Sequence, residues 1–450
     1  MKTPNKIQFN PDYPGIKNSD ELYNRAKNII PSVTQTLAKG PSQYVFGIAP
    51  KFIQKGKGSH VWDVDGNEYI DYNMAIGPVS LGYSYPKVDE AIIQQLASGI
   101  TFSMMHPLEV EVSEIISEII PNAEAVRFSK TGADVTSAAI RLSRAFTGKN
   151  KVLCCGYHGW HDWYISVTDR NKGIPDQIKD LTFTFNYNDI ESLINSIDDD
   201  TACVILEPFV FEEPQKNFLN ELRTICSSKN IVLVFDEMWT GFRISTGGAQ
   251  EYFGVTADLA CFSKAIANGM PLSVLCGKKE IMSLLEKDVF FYTTFGGETL
   301  SLAAAKATIT EMIEKNVPQY LSTQGSKLIK GLNQILFDFE IDYITCSGYN
   351  CRSIVNFSLK NGNSLELKSL MQQELFKRGI LWSGFHNISF SHSDDDIKYT
   401  LDAYGDLMPI IKQAVDEGNI SKFLKGKPVE PVFRKTGNFN IKPVSKKVIQ

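Results

Sequence analysis

The sequence predicts an α/β fold in which helices flank a mostly parallel β-sheet. Short apolar runs alternate with longer amphipathic segments along the middle of the chain, which is the order of elements found around parallel sheets. The short runs are nearly continuous in apolar residues, as is typical of strands covered on both faces. The chain has 450 residues, 43% of them hydrophobic, and exceeds the usual size of one domain, so we expect a second, smaller α+β domain.

The individual elements follow from the spacing of apolar residues. Helices are predicted where these residues recur at three-and-four spacing, and strands where the apolar run is short. In the large domain, residues 86–325, the predicted helices are 88–97, 108–119, 136–146, 218–229 and 300–314, and the predicted strands are 125–128, 151–155, 202–207, 231–236, 259–263 and 273–276. In residues 326–415 we expect a strand at 354–359 and helices at 364–378 and 394–414. Residues 416–450 are predicted to form an irregular basic tail.

The composition argues against several classes of function. A net charge of -5 gives no general attraction to nucleic acid or to anionic lipid. The eight cysteines include no CxxC pair and are not interleaved with histidine at metal-ligand spacing, so we expect buried free thiols and no metal site. The N-terminus lacks the apolar core of a signal peptide, and no run approaches about eighteen apolar residues, so we predict a soluble, cytoplasmic protein.

Chemistry is expected at the carboxyl ends of the strands, where open α/β sheets bind ligands. One predicted strand is followed by Thr131, Gly132 and Ala133 at the start of an Ala-rich helix. Gly132 permits a tight turn, Thr131 supplies a hydroxyl, and the N–H groups of a first helical turn point outward, so the motif suits a phosphate group. Taken alone, the motif also fits an ordinary capped helix with a turn glycine.

A second strand end carries aromatic and imidazole side chains in the run GYHGWHD. Tyr157 is placed to stack on a planar heteroaromatic ring, and His158 to form a hydrogen bond beside it. His158 and His161 also have a spacing at which two metal ligands occur. Because no acidic or cysteine ligand follows, a packed histidine is the favoured interpretation of His161.

Two further strand ends supply an acid and a base. Asp236 follows four apolar strand residues, where a carboxylate persists only when it is paired, and it suits a pyridinium N–H. The alternative is that Asp236 or Glu237 caps a helix or pairs with Arg243. Lys264 follows another short strand, and a lysine in such a half-buried place readily becomes neutral, which imine formation with an aldehyde requires.

An ordered set of motifs extends these four strand ends from about residue 58 to about residue 403: HVWDVDGNEYIDYNMAIGPVSLGYSYP, KTGADVTSAAIRLSRAFTGK, GYHGWHD, LEPF, DEMWTGFR, SKAIANGMP and TTFGGETLSLAAA. The set resembles the class III aminotransferases of pyridoxal-phosphate fold type I, most closely the glutamate-1-semialdehyde 2,1-aminomutase-like branch. The resemblance implies a seven-stranded, mostly parallel sheet in the large domain. It also implies that residues 1–85 join the C-terminal segment in the small domain, and that the protein is a homodimer with shared active sites.

By this resemblance, the residues that bind pyridoxal 5'-phosphate are Thr131, Gly132, Ala133, Tyr157, His158, Glu207, Asp236, Met238, Lys264 and Thr294. The first three match the phosphate-binding turn, and Thr294 matches a threonine that reaches the phosphate of the neighbouring subunit. Tyr157 matches the tyrosine that covers one face of the ring, and Met238 packs under the ring. Glu207 matches a glutamate beside the cofactor, Asp236 the partner of the ring nitrogen, and Lys264 the Schiff-base lysine.

The resemblance implies amino transfer from an amino donor to a carbonyl acceptor, through an internal aldimine on Lys264 and a pyridoxamine-phosphate intermediate. The expected catalytic residues are Lys264, which removes the α-proton, Asp236, which keeps the ring protonated, and Tyr157. The alternative is an intramolecular aminomutase, or another pyridoxal-phosphate reaction such as decarboxylation or racemisation. A cofactor-binding regulator is disfavoured, because the first seventy or so residues show no helix-turn-helix pattern and no basic face.

The residues expected around the substrate depart from the aminomutase branch. The N-terminal segment AKGPSQYVFGIAP has no arginine to bind a substrate carboxylate, and Ile76 replaces a tryptophan. A GGE turn replaces the GNP-like turn, and WSGFHNISFSH stands where the branch places a glutamate. We therefore expect Tyr44, Glu298 and His386 to contact the substrate. A polyhydroxylated or phosphorylated carbonyl compound is at least as good a candidate as the aminomutase substrate.

Overall fold

The computed structural model describes residues 9–10, 12–209, 212–215, 217–360 and 362–430. Within these residues the α-helices are, in chain order, α1 (Lys17–Ala26), α2 (Pro86–Ser98), α3 (Pro107–Ile119), α4 (Gly132–Thr147), α5 (Asp162–Ile165), α6 (Asp176–Lys179), α7 (Ile190–Ile194), α8 (Phe218–Ser228), α9 (Gly248–Phe253), α10 (Lys279–Met282), α11 (Thr299–Glu314), α12 (Val317–Asp338), α13 (Ser364–Lys377) and α14 (Asp394–Asp416). The strands are β1 (Ile53–Lys57), β2 (His60–Asp63), β3 (Glu68–Asp71), β4 (Ala125–Ser129), β5 (Lys151–Cys155), β6 (Thr182–Thr184), β7 (Thr201–Leu206), β8 (Val232–Asp236), β9 (Leu259–Phe262), β10 (Ser273–Gly277), β11 (Ile344–Tyr349), β12 (Arg352–Phe357), β13 (Ile380–Leu381) and β14 (Phe385–Asn387).

The chain divides into two compact units. The larger contains Pro86–Pro318, and the smaller combines the described residues up to Tyr85 with residues 319–430. The larger unit carries a seven-stranded sheet with helices, and the smaller carries a four-stranded and a three-stranded sheet with α13 and α14. This is the predicted fold class. The predicted boundary between residues 325 and 326 falls inside the continuous helix α12, so the boundary belongs near the start of that helix.

The strands of the seven-stranded sheet have the order β4-β10-β9-β8-β7-β5-β6. The five strands from β9 to β6 are parallel to their neighbours, whereas β10 runs antiparallel to both β9 and β4. Because β4 and β9 are each antiparallel to β10, they share one direction. The carboxyl ends of β4, β5, β7, β8 and β9 therefore lie at the same edge of the sheet.

The central strands of this sheet are buried on both faces, as their composition predicts. Every residue of β7, β8 and β9 is buried. Successive residues alternate between two hydrophobic clusters: Val234 belongs to the cluster that includes Leu142 of α4, and Phe235 to the cluster that includes Leu222 of α8. Burial of both faces fixes the strand register, and with it the positions of the residues that follow each strand.

Every strand predicted for the large domain is present, with ends that differ by one residue at most. Helix α4 begins four residues earlier than predicted, because Thr131 and Asp134 form a capping box at its N-terminus. All eight cysteines are buried free thiols, as predicted. The described helices include none with the length and apolar character needed to cross a membrane. Helix α14 continues to Asp416, and residues 431–450 of the predicted tail lie outside the described residues.

A histidine-centred network joins the N-terminal and C-terminal segments of the smaller unit. His60 Nδ1 lies 2.9 Å from Glu68 Oε1, and His60 Nε2 lies 3.1 Å from Asp396 Oδ1. Asp396 also accepts a hydrogen bond from the Ser393 N–H, which forms the capping box of α14. Burial alone would lower the pKa of His60, but the hydrogen bond and charge of Asp396, followed by the charge of Glu68, raise it above its ordinary value.

This network predicts a pH-dependent stability. Protonated His60 contributes stability that is complete below its unfolded pKa of about 6.5 and is lost as the pH rises through the higher folded value. The pKa of Asp396 is lowered to about 2, so that carboxylate stays ionised throughout. We expect the unfolding temperature of the wild type to fall as the pH rises above about 6.5 and through the raised folded pKa of His60. Thermal unfolding of His60→Ala should lack this decline, and equal slopes in the two proteins would contradict the account.

Candidate active site

Five strand ends meet at one edge of the seven-stranded sheet, and each leads to a residue of the predicted cofactor site. Thr131 follows β4, Tyr157 follows β5, Glu207 follows β7, Asp236 ends β8, and Lys264 follows β9. The parallel directions of these strands bring together residues that are up to 133 positions apart in the chain. The edge has the topology at which open α/β sheets bind their ligands.

A buried acid–base pair lies at the centre of this edge. His158 Nδ1 donates to Asp236 Oδ2 over 2.7 Å, and the two side chains are 0% and 1% exposed. The Met238 N–H donates to the other carboxylate oxygen, Oδ1, over 3.1 Å. A buried carboxylate is stable only when it is paired and hydrogen-bonded, and His158 with the Met238 N–H satisfies that condition. Each carboxylate oxygen retains a further lone pair that can accept a ligand N–H.

Lys264 has an unfavourable backbone conformation. Its φ angle is +50°, in the left-handed region, and the preceding Ser263 is fully extended with φ −164°. A non-glycine residue in this region costs about 1–2 kcal/mol. The fold maintains the conformation because the next three residues, Ala265–Ala267, are completely buried and the Ser263 hydroxyl donates to the Leu272 carbonyl over 2.6 Å. Strain held in this way is typical of functional positions.

Glu207 and Tyr157 complete the edge and lie within electrostatic reach of the acid–base pair. The Tyr157 N–H donates to Glu207 Oε1 over 2.8 Å. Burial and then the charge of Asp236 raise the pKa of Glu207, while the Tyr157 N–H, His158 and Lys264 lower it in part. Burial and the charges of Asp236 and Glu207 likewise raise the pKa of Tyr157. The structure thus brings together five of the residues predicted from the sequence.

The turn before α4 has the features of a phosphate site. Thr131 caps the helix, and its own N–H donates to Asp134 Oδ2 over 2.8 Å. The first N–H groups of a helix have no partner within that helix and favour anions. A side chain at Gly132 would approach the Met238 sulfur to 2.8 Å. Because Gly132 has none, the turn packs directly against Met238. Thr131, Gly132 and Met238 are therefore neighbours, as predicted.

The loop after β5 presses on this turn at Gly159. A side-chain carbon at Gly159 would lie 2.7 Å from Ala133 Cβ and 2.9 Å from Ala133 Cα, and the φ angle of Gly159 is +104°. We expect Gly159→Ala to cost about 1–3 kcal/mol of stability and to weaken cofactor binding, because it displaces the turn. Gly173→Ala is the matched control, since Gly173 has a similar φ of +94° and open space around it. Equal cofactor dissociation constants for the two variants in a binding titration would contradict this prediction.

The neighbouring acidic residue, Glu237, has a structural role that the sequence analysis left open. Its carboxylate accepts from the Ala249 N–H over 2.6 Å and from the Thr240 hydroxyl over 2.8 Å, so it caps α9. Burial raises the pKa of Glu237 to about 7, although these hydrogen bonds lower it in part. The capping alternative therefore holds for Glu237, while Asp236 pairs with His158.

The structure also bears on the role of His161 and on the possibility of a metal site. The His161 ring forms a hydrogen bond to the Ser137 hydroxyl over 2.7 Å and packs edge-on against Trp160. This agrees with the interpretation of His161 as a packed histidine. Among the described residues, no cluster of histidine, cysteine, aspartate or glutamate is arranged to hold a metal ion.

Two predicted substrate contacts are corrected. The Glu298 carboxylate caps α11 and pairs with Lys130 Nζ at 2.9 Å. His386 is completely buried, with Nδ1 bonded to the Ser353 hydroxyl and Nε2 to the Tyr404 hydroxyl, each over 2.8 Å. Both ring nitrogens of His386 and both oxygens of Glu298 are therefore occupied by the protein itself. Lys130 was not among the predicted residues, although its position beside Thr131 was a usable signal.

The remaining predicted residues are Tyr44 and Thr294. Tyr44 is partly buried and its hydroxyl accepts from Asn73 Nδ2 over 2.7 Å. Thr294 is exposed, between the exposed rings of Tyr292 and Phe295, and its side chain has no hydrogen bond to the described residues. A threonine in such a segment is available to another chain.

The sequence and the fold both match known proteins. A family model described as aminotransferase class-III matches residues 46–351. The chain is 32% identical to the 3-aminobutyryl-CoA aminotransferase of Cloacimonas acidaminovorans, over 88% of this chain and 98% of that protein. It is 36% identical to the glutamate-1-semialdehyde 2,1-aminomutase of Methanococcoides burtonii, over 73% of this chain and 81% of that protein.

Solved structures with this fold include pyridoxal-phosphate enzymes. The FumI protein of Sphingopyxis sp. MTA144, in its internal aldimine form with pyridoxal phosphate, has a TM-score of 0.83 and 26% identity over 91% of this chain and 98% of that one. An omega-transaminase from Sphaerobacter thermophilus has a TM-score of 0.80 and 24% identity, over 89% and 98%. The predicted family, fold type and cofactor are confirmed. The chain belongs to the class III aminotransferases, pyridoxal-phosphate-dependent enzymes of fold type I.

Proposed function

We propose that the protein moves an amino group from an amino donor to a separate carbonyl acceptor, with Lys264 as the residue that binds pyridoxal phosphate covalently. The observation that carries the proposal is the buried His158–Asp236 pair at the sheet edge where the strained Lys264 follows β9. A buried carboxylate that is already held by a histidine suits a pyridinium N–H, and a lysine at the same edge suits an aldehyde.

The residues at this edge fit the cofactor in charge and in space. The phosphate is a dianion, and the start of α4 offers N–H groups and the positive end of a helix dipole. The ring nitrogen needs an anionic partner, and Asp236 has a free lone pair on each oxygen. Gly132 has no side chain, so Met238 packs directly against the turn at the start of α4.

When bound, pyridoxal phosphate supplies a carbonyl group that exchanges amines and a ring that accepts the electron pair of a breaking C–H bond. Asp236 holds the proton on the ring nitrogen, and His158 fixes the orientation of that carboxylate. Lys264 Nζ would take the proton from the substrate α-carbon and deliver a proton to the carbon that was the carbonyl carbon of the cofactor, which is the proton shift that amino transfer requires. Tyr157 covers one face of the site and excludes water there, and Glu207 fixes the Tyr157 backbone.

The proposal includes a homodimer in which Thr294 binds the phosphate held by the partner subunit. Its support is the exposure of the segment around Thr294, where Phe290, Tyr292 and Phe295 are 72%, 54% and 57% exposed. Met104 and Met105, in the same unit, are 76% and 79% exposed. Apolar side chains that are exposed to this extent mark surfaces that associate with other chains. A cytoplasmic location stays a prediction from the sequence.

The alternative is an intramolecular aminomutase, as in the Methanococcoides burtonii relative. Against it stands the segment of residues 38–50, which offers Gln43 and Tyr44 and no arginine to bind a small substrate carboxylate. The amino transfer named for the Cloacimonas acidaminovorans relative, which matches over nearly its full length, supports the transferase. Tyr44 remains the proposed substrate contact, whereas Glu298 and His386 are withdrawn.

The test is a single half-reaction. Cofactor-loaded protein is mixed with each of a panel of amino donors, including α-amino, β-amino and ω-amino acids, and the absorbance of the cofactor is followed. Conversion of the whole cofactor to pyridoxamine phosphate, with one equivalent of keto product, is the expected result. Isomerisation of a single substrate without net loss of the pyridoxal form would establish the aminomutase instead. Cofactor binding without either reaction would overturn the proposal.

A further inference from the structure

We propose that the Lys130–Glu298 ion pair positions the segment that contains Thr294, so that Thr294 can contact the cofactor phosphate of the partner subunit. Each active site then depends on an ion pair in the opposite subunit. The inference rests on the proposed function, since it needs a homodimer and pyridoxal phosphate. It concerns positioning residues, because neither Lys130 nor Glu298 is proposed to touch the substrate or the cofactor.

The ion pair connects two parts of one subunit that would serve two different active sites. Lys130 directly precedes Thr131, which begins the phosphate turn of its own subunit. Glu298 lies four residues after Thr294, which is proposed to bind the cofactor phosphate of the partner subunit. Lys130 Nζ lies 2.9 Å from Glu298 Oε2, and the side chains are 19% and 12% exposed. A charged hydrogen bond with this degree of burial is stronger than an ordinary surface pair.

Glu298 is held rigidly by the helix that follows it. Its carboxylate accepts from the Leu300 N–H and from the Ser301 hydroxyl, each over 2.6 Å, and so caps α11. Burial opposes ionisation, but the Ser301 hydroxyl and Lys130 lower the pKa of Glu298, so the group is charged near neutral pH. One carboxylate therefore fixes the start of α11 and binds Lys130.

The residues between Thr294 and Glu298 pack closely against other parts of the larger unit. A side chain at Gly296 would approach the Phe128 carbonyl of β4 to 3.1 Å. A side chain at Gly297 would approach the Glu109 carboxyl group at the start of α3 to 2.6 Å. The segment is thus fixed at its C-terminal side, while Thr294 itself is exposed.

The phosphate turn at the other end of the ion pair is fixed as well. The Asp134 carboxylate accepts from the Thr131 N–H and from the Ser129 hydroxyl, each over 2.8 Å. Lys130 lies between these two residues, so its backbone cannot move without disturbing the turn. In a dimer, the position of one phosphate turn is then transmitted through Lys130 and Glu298 to the residue that contacts the second phosphate.

A heterodimer tests the effect across the interface. One subunit carries Lys264→Ala, so that only the wild-type subunit shows the absorbance of lysine-linked cofactor. A second heterodimer adds Lys130→Met to the Lys264→Ala subunit. Titration with pyridoxal phosphate should give a dissociation constant for the wild-type subunit that is about 5- to 10-fold higher in the second heterodimer. Lys130→Met leaves the Glu298 cap of α11 intact, and Glu298→Gln, which keeps a cap acceptor, should reproduce the result.

The control variant is Lys306→Met, which breaks the exposed ion pair between Lys306 of α11 and Glu111 of α3. It should leave the dissociation constant unchanged. If Lys130→Met has no effect on the wild-type subunit across an intact dimer, the inference is overturned while the proposed function stands. If the first heterodimer shows no lysine-linked cofactor, or the wild-type protein is a monomer, the proposed function itself fails at that point.

Discussion

Replacing Lys264 by alanine is expected to lower kcat for amino transfer by about 10⁴-fold, the upper end of the range for removal of a general acid–base group. The variant loses both the amine that binds the cofactor covalently and the base that moves the α-proton. Stopped-flow measurement of the half-reaction with the best donor checks the rate. The cofactor should still bind through the phosphate turn and Asp236, without the absorbance of the covalent linkage.

The control for this variant is Lys278→Ala. Lys278 follows β10 and pairs with Asp258 at 2.8 Å, with its side chain 45% exposed. Its removal should leave the half-reaction rate within about twofold of the wild type, because surface pairs contribute little. Retention of the covalent absorbance and of the amino transfer rate in Lys264→Ala would refute the assignment of Lys264.

Asp236→Asn is expected to lower kcat by about 10²- to 10³-fold, comparable to the loss of one preorganised electrostatic contact. The amide can still accept the Met238 N–H, but it removes the negative charge that the ring nitrogen needs. It also leaves His158, which is completely buried, without an anionic partner. Steady-state kinetics with saturating cofactor measure the loss in kcat separately from any loss in cofactor affinity.

A cofactor analogue separates these effects of Asp236→Asn. Pyridoxal phosphate methylated at the ring nitrogen has a permanent positive charge and no N–H, so it does not need a carboxylate to stay cationic. The analogue should recover part of the rate in Asp236→Asn relative to the natural cofactor. Asp236 would have only a structural role if the variant transferred amino groups equally slowly with both cofactors. Its unfolding rate would then also be the same with and without either cofactor.

Much of the larger unit could be predicted because its strands are buried on both faces. Runs such as that of β7 contain only apolar or small residues, and their ends matched the structure within one residue. The sequence could not show that β10 is antiparallel, because a strand buried on both faces has the same composition in either direction. The common direction of β4 and β9, which places Thr131 with Lys264, became visible only in the fold.

The smaller unit was harder to predict because its strands are short or exposed. Strand β1 reads IQKGK and is almost entirely exposed, so it has no apolar run. Helix α12 was not predicted, although its buried leucines Leu321, Leu328, Leu332 and Leu336 have helical spacing. The predicted domain boundary therefore fell within it, between residues 325 and 326.

The positions of residues that directly follow strands could be predicted, whereas contacts with a partner distant in the chain could not. Asp236 and Lys264 were placed from the strand before each of them. Glu298 was assigned to the substrate because the sequence does not reveal Lys130, 168 positions earlier, as its ion-pair partner. His386 was assigned in the same way, since its two partners come from elsewhere in the smaller unit.

The most direct test of the central claim is to locate the lysine that binds pyridoxal phosphate. The loaded protein is reduced with borohydride, which fixes the linkage as a stable amine, then digested and mapped by mass spectrometry. The account predicts one equivalent of cofactor per chain on the peptide that contains Lys264, and none on the neighbouring Lys278 or Lys279. Cofactor on another lysine, or no covalent cofactor in a protein that still transfers amino groups, would contradict it.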